Sequence, residues 1–167
     1  MVTAYAPGHW VEFGVATAGA AAALAGLLVV AISINLERIL QFPVLPHRAA
    51  QTLILFTLPL VTALLLIVPG QPDAALGSEL LVIGLAAGTF LMVGDARVPL
   101  SEEERPLATR LVSRTLPPVV TCGSLTVAGA TLLARAGGGL YWVVPAVLAS
   151  IVFGLINAWV LLIEILR

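Results

Sequence analysis

The chain has 167 residues, of which 60% are hydrophobic and only 10% charged. Soluble domains carry about 25% charged residues, so this chain lacks the polar surface to coat a globule in water, and the solvent it fits is lipid. A formal net charge of −1, with arginine and no lysine, excludes the basic face that nucleic acid requires, and the one cysteine, Cys122, excludes an internal disulfide.

A helix crossing about 30 Å of hydrocarbon needs roughly 20 mainly apolar residues. Five segments meet this, at 11–36, 49–68, 77–94, 117–134 and 141–166. The expected fold is an all-α integral membrane protein, a single membrane domain of five transmembrane helices. The first span has no arginine before Arg38. It therefore lacks the basic flank of a secretory signal, is too long for one, and reads as a retained helix. Pro59 lies inside the second span, where it predicts a kink and a freed carbonyl. The third span has the shortest strictly apolar core.

Three connections read as turns: "FPVLPHR" (42–48), "VPGQPD" (68–73) and "RAGGG" (135–139). The stretch 95–116 is longer. Ser101 followed by Glu104 has the capping-box spacing, and Leu107 and Leu111 share a face. This predicts a cytoplasmic amphipathic segment over 101–116 that feeds the fourth span at Pro117-Pro118, where prolines are tolerated at a helix start.

Orientation follows from arginine placement. Arg38, Arg48, Arg97, Arg105, Arg110, Arg114 and Arg167 fall on one side of this topology, and Arg135 alone on the other. The N-terminus is expected outside and the C-terminus in the cytoplasm. Tyr5, Trp10, Tyr141 and Trp142 then sit at the outer interface, where amphipathic rings settle.

Two sets of residues stand out within the spans. The first is small. Gly19, Ala23 and Gly26 form one stripe on the first span, alongside Ala16 and Ala20. Gly84 and Gly88 form another on the third, with Gly77 in line. Small residues let helix backbones approach closely in lipid. These stripes serve either homo-oligomer association or packing inside the bundle, and the first span is expected to be the central helix or the oligomer seam.

The second set is polar. On a helix Ser33 and Glu37 share a face, as do Asn35 and Arg38. Glu37 and Arg38 fit a helix surfacing at the interface, where the arginine snorkels. Ser33 and Asn35 lie a turn deeper. In the fifth span Asn157 and Glu164 share a face, and Asn157 lies about 15 Å from the helix end. A carboxamide that deep should bond another helix. Spans one and five are thus expected to meet through Asn35, Glu37, Asn157 and Glu164, with Arg38, Arg97, Arg114 or Arg167 as cationic neighbours. The cluster is either a polar vestibule or inter-helix glue.

Other features carry less. His9 and His47 fall on opposite sides, so no metal site can use both. No nucleophile elbow, phosphate loop or paired-histidine motif is present, so no enzyme activity and no cofactor are expected. Asp95 and Arg97 read as interface charges, Cys122 as a buried small residue, and the acidic run 101–104 as a solvated helix start.

Three blocks, "GAAAALAGLLVVAISINLERIL" (19–40), "ILFTLPLVTALLLIVPGQ" (54–71) and "GGLYWVVPAVLASIVFGLINAWVLLIEILR" (138–167), resemble a family of small bacterial multi-pass inner-membrane proteins. Some relatives are loosely named modulators of a membrane-bound AAA protease. The resemblance implies a bacterial cytoplasmic-membrane location and carries over no catalytic residue.

Two functions fit these residues. One is a homo-oligomeric ion channel or permeation pathway whose acidic and asparagine-bearing mouth would favour an inorganic cation. The other is a non-transporting regulatory or scaffold subunit. It would present the arginine-rich segment 97–114 to a cytoplasmic partner or to anionic lipid.

Overall fold

The computed structural model describes residues 3–42, 44–97 and 107–166, and within these every regular element is helical. Helix α1 is Val11–Ile34, α2 Leu36–Gln41, α3 Leu45–Leu66, α4 Asp73–Arg97, α5 Leu107–Ala134 and α6 Val143–Leu166. Short 3-10 turns precede α1 and α6. Five of the helices are long and apolar enough to cross a membrane.

The boundaries differ from expectation at four places. Helix α1 stops at Ile34, and the chain breaks at Asn35 (φ −107, ψ 15) before restarting as α2. Helix α3 starts at Leu45 rather than 49, with Pro46 in its first turn. Proline costs nothing there, because first-turn N–H groups have no helical acceptor. Helix α4 runs 25 residues and takes in both ends of the short apolar core. Its start is favoured by Asp73 against the positive helix end.

The fourth difference is the largest. Helix α5 is continuous from Leu107, so Pro117 and Pro118 lie inside one helix and not at a junction between two. Two missing N–H donors are cheaper in an apolar span than exposing the rest of the backbone. Of the amphipathic segment expected over 101–116, Ser101, Glu104 and Arg105 lie outside the described residues. So does Arg167, as do the side chains of Asp95, Arg97, Arg110 and Arg114.

The chain forms two compact units, residues 1–5 with 72–149 and residues 6–71 with 150–167. In the first, α4 packs along α5 through small residues. A Cβ on Gly84 would lie 2.6 Å from Thr126 Oγ1 and 3.0 Å from the Cys122 carbonyl, and one on Gly129 2.6 Å from the Gly77 carbonyl. The turn leaving α5 closes on itself. Arg135 takes a left-handed conformation (φ 50), and the Ala136 N–H reaches back to the Thr131 carbonyl at 3.2 Å. Gly137, Gly138 and Gly139 also have positive φ, which only glycine adopts without strain. Trp142 Nε1 donates to the Gly137 carbonyl at 2.9 Å, and Arg135 reaches Asp73 at 3.3 Å.

In the second unit, α1 packs along α3. Leu28, Ile39, Leu45, Ala49, Phe56 and Leu161 form one buried cluster, so α1, α2, α3 and the second half of α6 share a core. Pro59 stays within α3. It has no N–H for the Leu55 carbonyl four residues back. Ser150 of α6 donates to that carbonyl instead, at 2.5 Å in a buried site.

Candidate functional site

Ser33, Asn35, Glu37, Arg38 and Gln41 lie together where α1 ends and α2 begins. At the break, the Asn35 N–H bonds the Ile32 carbonyl, a tighter turn than the helix. That would leave the Ala31 carbonyl without its usual donor. Asn35 Nδ2 supplies one at 2.9 Å, so the side chain stands in for the backbone. Ser33 Oγ likewise donates to the Val29 carbonyl at 2.8 Å. Both deep polar side chains are therefore satisfied by their own helix.

Beyond Asn35, Ile39 is buried in the core and anchors α2. The rest of α2 faces outward. Glu37 and Arg38 are exposed, and among the described residues neither forms an ion pair or hydrogen bond. The elbow between α1 and α2 leaves an open surface depression of about 700 Å³ lined by Ser33, Asn35, Glu37, Arg38, Gln41 and Phe42 among others.

Asn157 and Glu164 do not join this depression. Glu164 accepts from Arg48 Nη1 at 2.9 Å, and both side chains are about 40% exposed. Arg48 was not among the cations expected beside Glu164. It lies 116 residues away in sequence, and only the packing of α3 on α6 brings the two together. Thr52 Oγ1 donates to the Arg48 carbonyl at 2.8 Å. Asn157 is half-buried on α6 and has no side-chain hydrogen bond among the described residues. The expected polar meeting of spans one and five is thus replaced by two features. Leu28 of α1 and Leu161 of α6 belong to one apolar cluster, and the ion pair joins α3 to α6.

The small-residue stripes divide in the same way. Gly84 and Gly88 pack internally, each against Cys122 of α5, so that stripe is consumed within its unit. Gly19, Ala23 and Gly26 are exposed, and a Cβ on Gly19 or Gly26 would meet nothing within 4 Å. The buried face of α1 is a different one, with Gly14, Thr17, Ala21 and Leu28. Gly14 is the close-approach residue there, since its Cβ would come 3.2 Å from the Ala63 carbonyl. Helix α1 is consequently not the central helix of its unit. Only 17% of its apolar window is buried, against 50% for α3.

One residue on the outer face was not singled out by sequence. Glu12, Gly19, Gly26 and Ser33 are each seven apart and all exposed, so the small face of α1 ends in a carboxylate at one end and a hydroxyl at the other. The heptad spacing was the available signal. Among the described residues no three His, Cys, Asp or Glu side chains converge as metal ligands would. No protein-family model, curated protein or solved structure matches the chain.

Proposed function

We propose that the chain is a non-transporting, homo-oligomeric subunit of the bacterial inner membrane, with its N-terminus outside and its C-terminus in the cytoplasm. It acts by presenting helix surfaces, as a regulatory or scaffold component of a membrane assembly. The observation that carries this is the unused face of α1. Gly14, Gly77, Gly84, Gly129 and Gly154 all face another helix at close range, whereas Gly19 and Gly26 face open space. Lipid chains gain little contact from such a surface, and another helix gains a great deal. The satisfied Ser33 and Asn35 and the paired Glu164 support the same reading, because these three are not free to line a conduction path. Orientation rests on arginine asymmetry, and the bacterial location on the family resemblance alone.

Cross-linking in native membranes tests it. Gly26→Cys should form dimers with a short thiol cross-linker, in a Cys122→Ser background. A cysteine at exposed Val82 on α4 should not. Bulky Gly26→Leu should abolish the oligomer. A monomer in native membranes with no stoichiometric partner would sink the proposal.

A second reading has its own support. If α1 faces converge on an axis, Glu12 marks one mouth of a cation pathway, and Ser33 with Glu37 the other. Ion flux in liposomes that falls in Glu12→Gln and Glu37→Gln would favour this channel. Absence of flux from an intact oligomer excludes it.

A further inference from the structure

The elbow after α1 brings Arg38, Gln41 and Phe42 beside Glu37, and the association face uses none of the four. Helix α1 has 24 residues and so spans about 36 Å, longer than about 30 Å of hydrocarbon. If α1 crosses the bilayer, as the proposed function assumes, its end at Ile34 emerges among the lipid headgroups. The depression there has two characters. Glu37 and Arg38 bring adjacent opposite charges, unpaired among the described residues, with the Gln41 carboxamide one turn on. Ile34, Leu36 and Phe42 add apolar surface, and Ile34 is 78% exposed. The elbow is held rigidly enough to act as a seat, because Ile39 is 2% exposed and pinned to the core beneath it.

We infer that this elbow binds the headgroup of a zwitterionic phospholipid carrying a primary amine, of the phosphatidylethanolamine type. The Arg38 guanidinium takes the phosphodiester, for which its planar donor fork is suited. The Glu37 carboxylate accepts N–H bonds from the ammonium. Ile34 and Phe42 lie against the glycerol and the first acyl carbons. The charge arithmetic selects the ligand. An anionic headgroup is repelled by Glu37 about as much as it is drawn to Arg38. A quaternary choline has no N–H to donate to Glu37 and finds a single lining aromatic, Phe42, in place of an aromatic cage.

Native mass spectrometry of the full chain from nanodiscs of mixed ethanolamine, choline and glycerol phospholipids tests the inference. Wild type should retain ethanolamine lipid about fivefold over the other two. Glu37→Gln leaves an unopposed cation, so preference should pass to the anionic glycerol lipid. Arg38→Gln should lose retention of both. Both sites are exposed, and an unchanged unfolding midpoint confirms that the fold is kept. Equal retention of the three lipids by wild type, or a preference that neither substitution alters, overturns the inference. Protease protection of the same nanodisc sample separates the two failures. An inserted protein without lipid preference refutes the headgroup seat alone, and a protein that is not inserted refutes the membrane reading beneath it.

Discussion

Ser150 and Pro59 should be energetically coupled, and the coupling can be measured. Proline removes the donor for the Leu55 carbonyl, and Ser150 replaces it at 2.5 Å in a site where Ser150 is 1% exposed and Leu55 2%. Ser150→Ala deletes one hydroxyl and leaves a buried carbonyl without a partner. Leaving such a group unmade costs about 1–3 kcal/mol, whereas inter-helix side-chain bonds in membranes average about 0.6. The higher range applies because this carbonyl has no helical N–H to fall back on. A loss of about 1.5 kcal/mol is expected. In a Pro59→Ala background the backbone N–H returns, and the same Ser150→Ala change should cost less than about 0.5 kcal/mol. The double-mutant cycle should therefore give a coupling near 1 kcal/mol. Reversible unfolding in mixed detergent micelles, titrated with a denaturing detergent, supplies the four free energies. Equal cost of Ser150→Ala in both backgrounds would refute the argument that serine substitutes for the missing proline donor.

The other expectations concern glycines and one ion pair. Gly84→Ala would drive a Cβ to 2.8 Å from the Thr126 backbone nitrogen, so α4 and α5 must separate, at about 2 kcal/mol in the same unfolding assay. Gly19→Ala meets open space and should be neutral or stabilising by up to about 1 kcal/mol through helix propensity. Gly138→Ala forces a side chain into φ 113 and to 3.0 Å from Trp142 Nε1. It should cost about 1–2 kcal/mol and shift indole emission. Arg48→Gln and Glu164→Gln remove a half-exposed pair, so each should cost under about 1 kcal/mol, with a coupling that shrinks as salt rises.

How much of this was legible in the sequence depended on the range of the interaction. Span number and approximate extent came from uninterrupted apolar length, which is a local property. The close-packing role of Gly84 and Gly88 was legible as spacing, but their partners on α5 were not, because a stripe does not name the helix it faces. Pro117-Pro118 misled, since a proline pair reads as a boundary in water while an apolar span keeps its backbone helical through it. Asn35 was singled out for the right reason, a polar group at depth. Its partner proved to be its own helix, because a break frees a local carbonyl before any other helix is needed. Arg48 falls in a proline-bracketed stretch that reads as a turn, which hides it as the neighbour of Glu164, whereas α3 begins before it and carries it to α6.

The unit that holds the elbow also sets a schedule for its own construction. It is assembled from residues 6–71 and 150–167, with the whole of α4 and α5 made in between. Leu55 and Ser150 are 95 residues apart, so at about 5–20 residues per second the ribosome needs on the order of 5–20 s to deliver the hydroxyl that completes α3. For that interval the first hairpin carries a bare carbonyl, and Arg48 lacks Glu164. The last helix to be made is therefore the one that completes the bonding of α3.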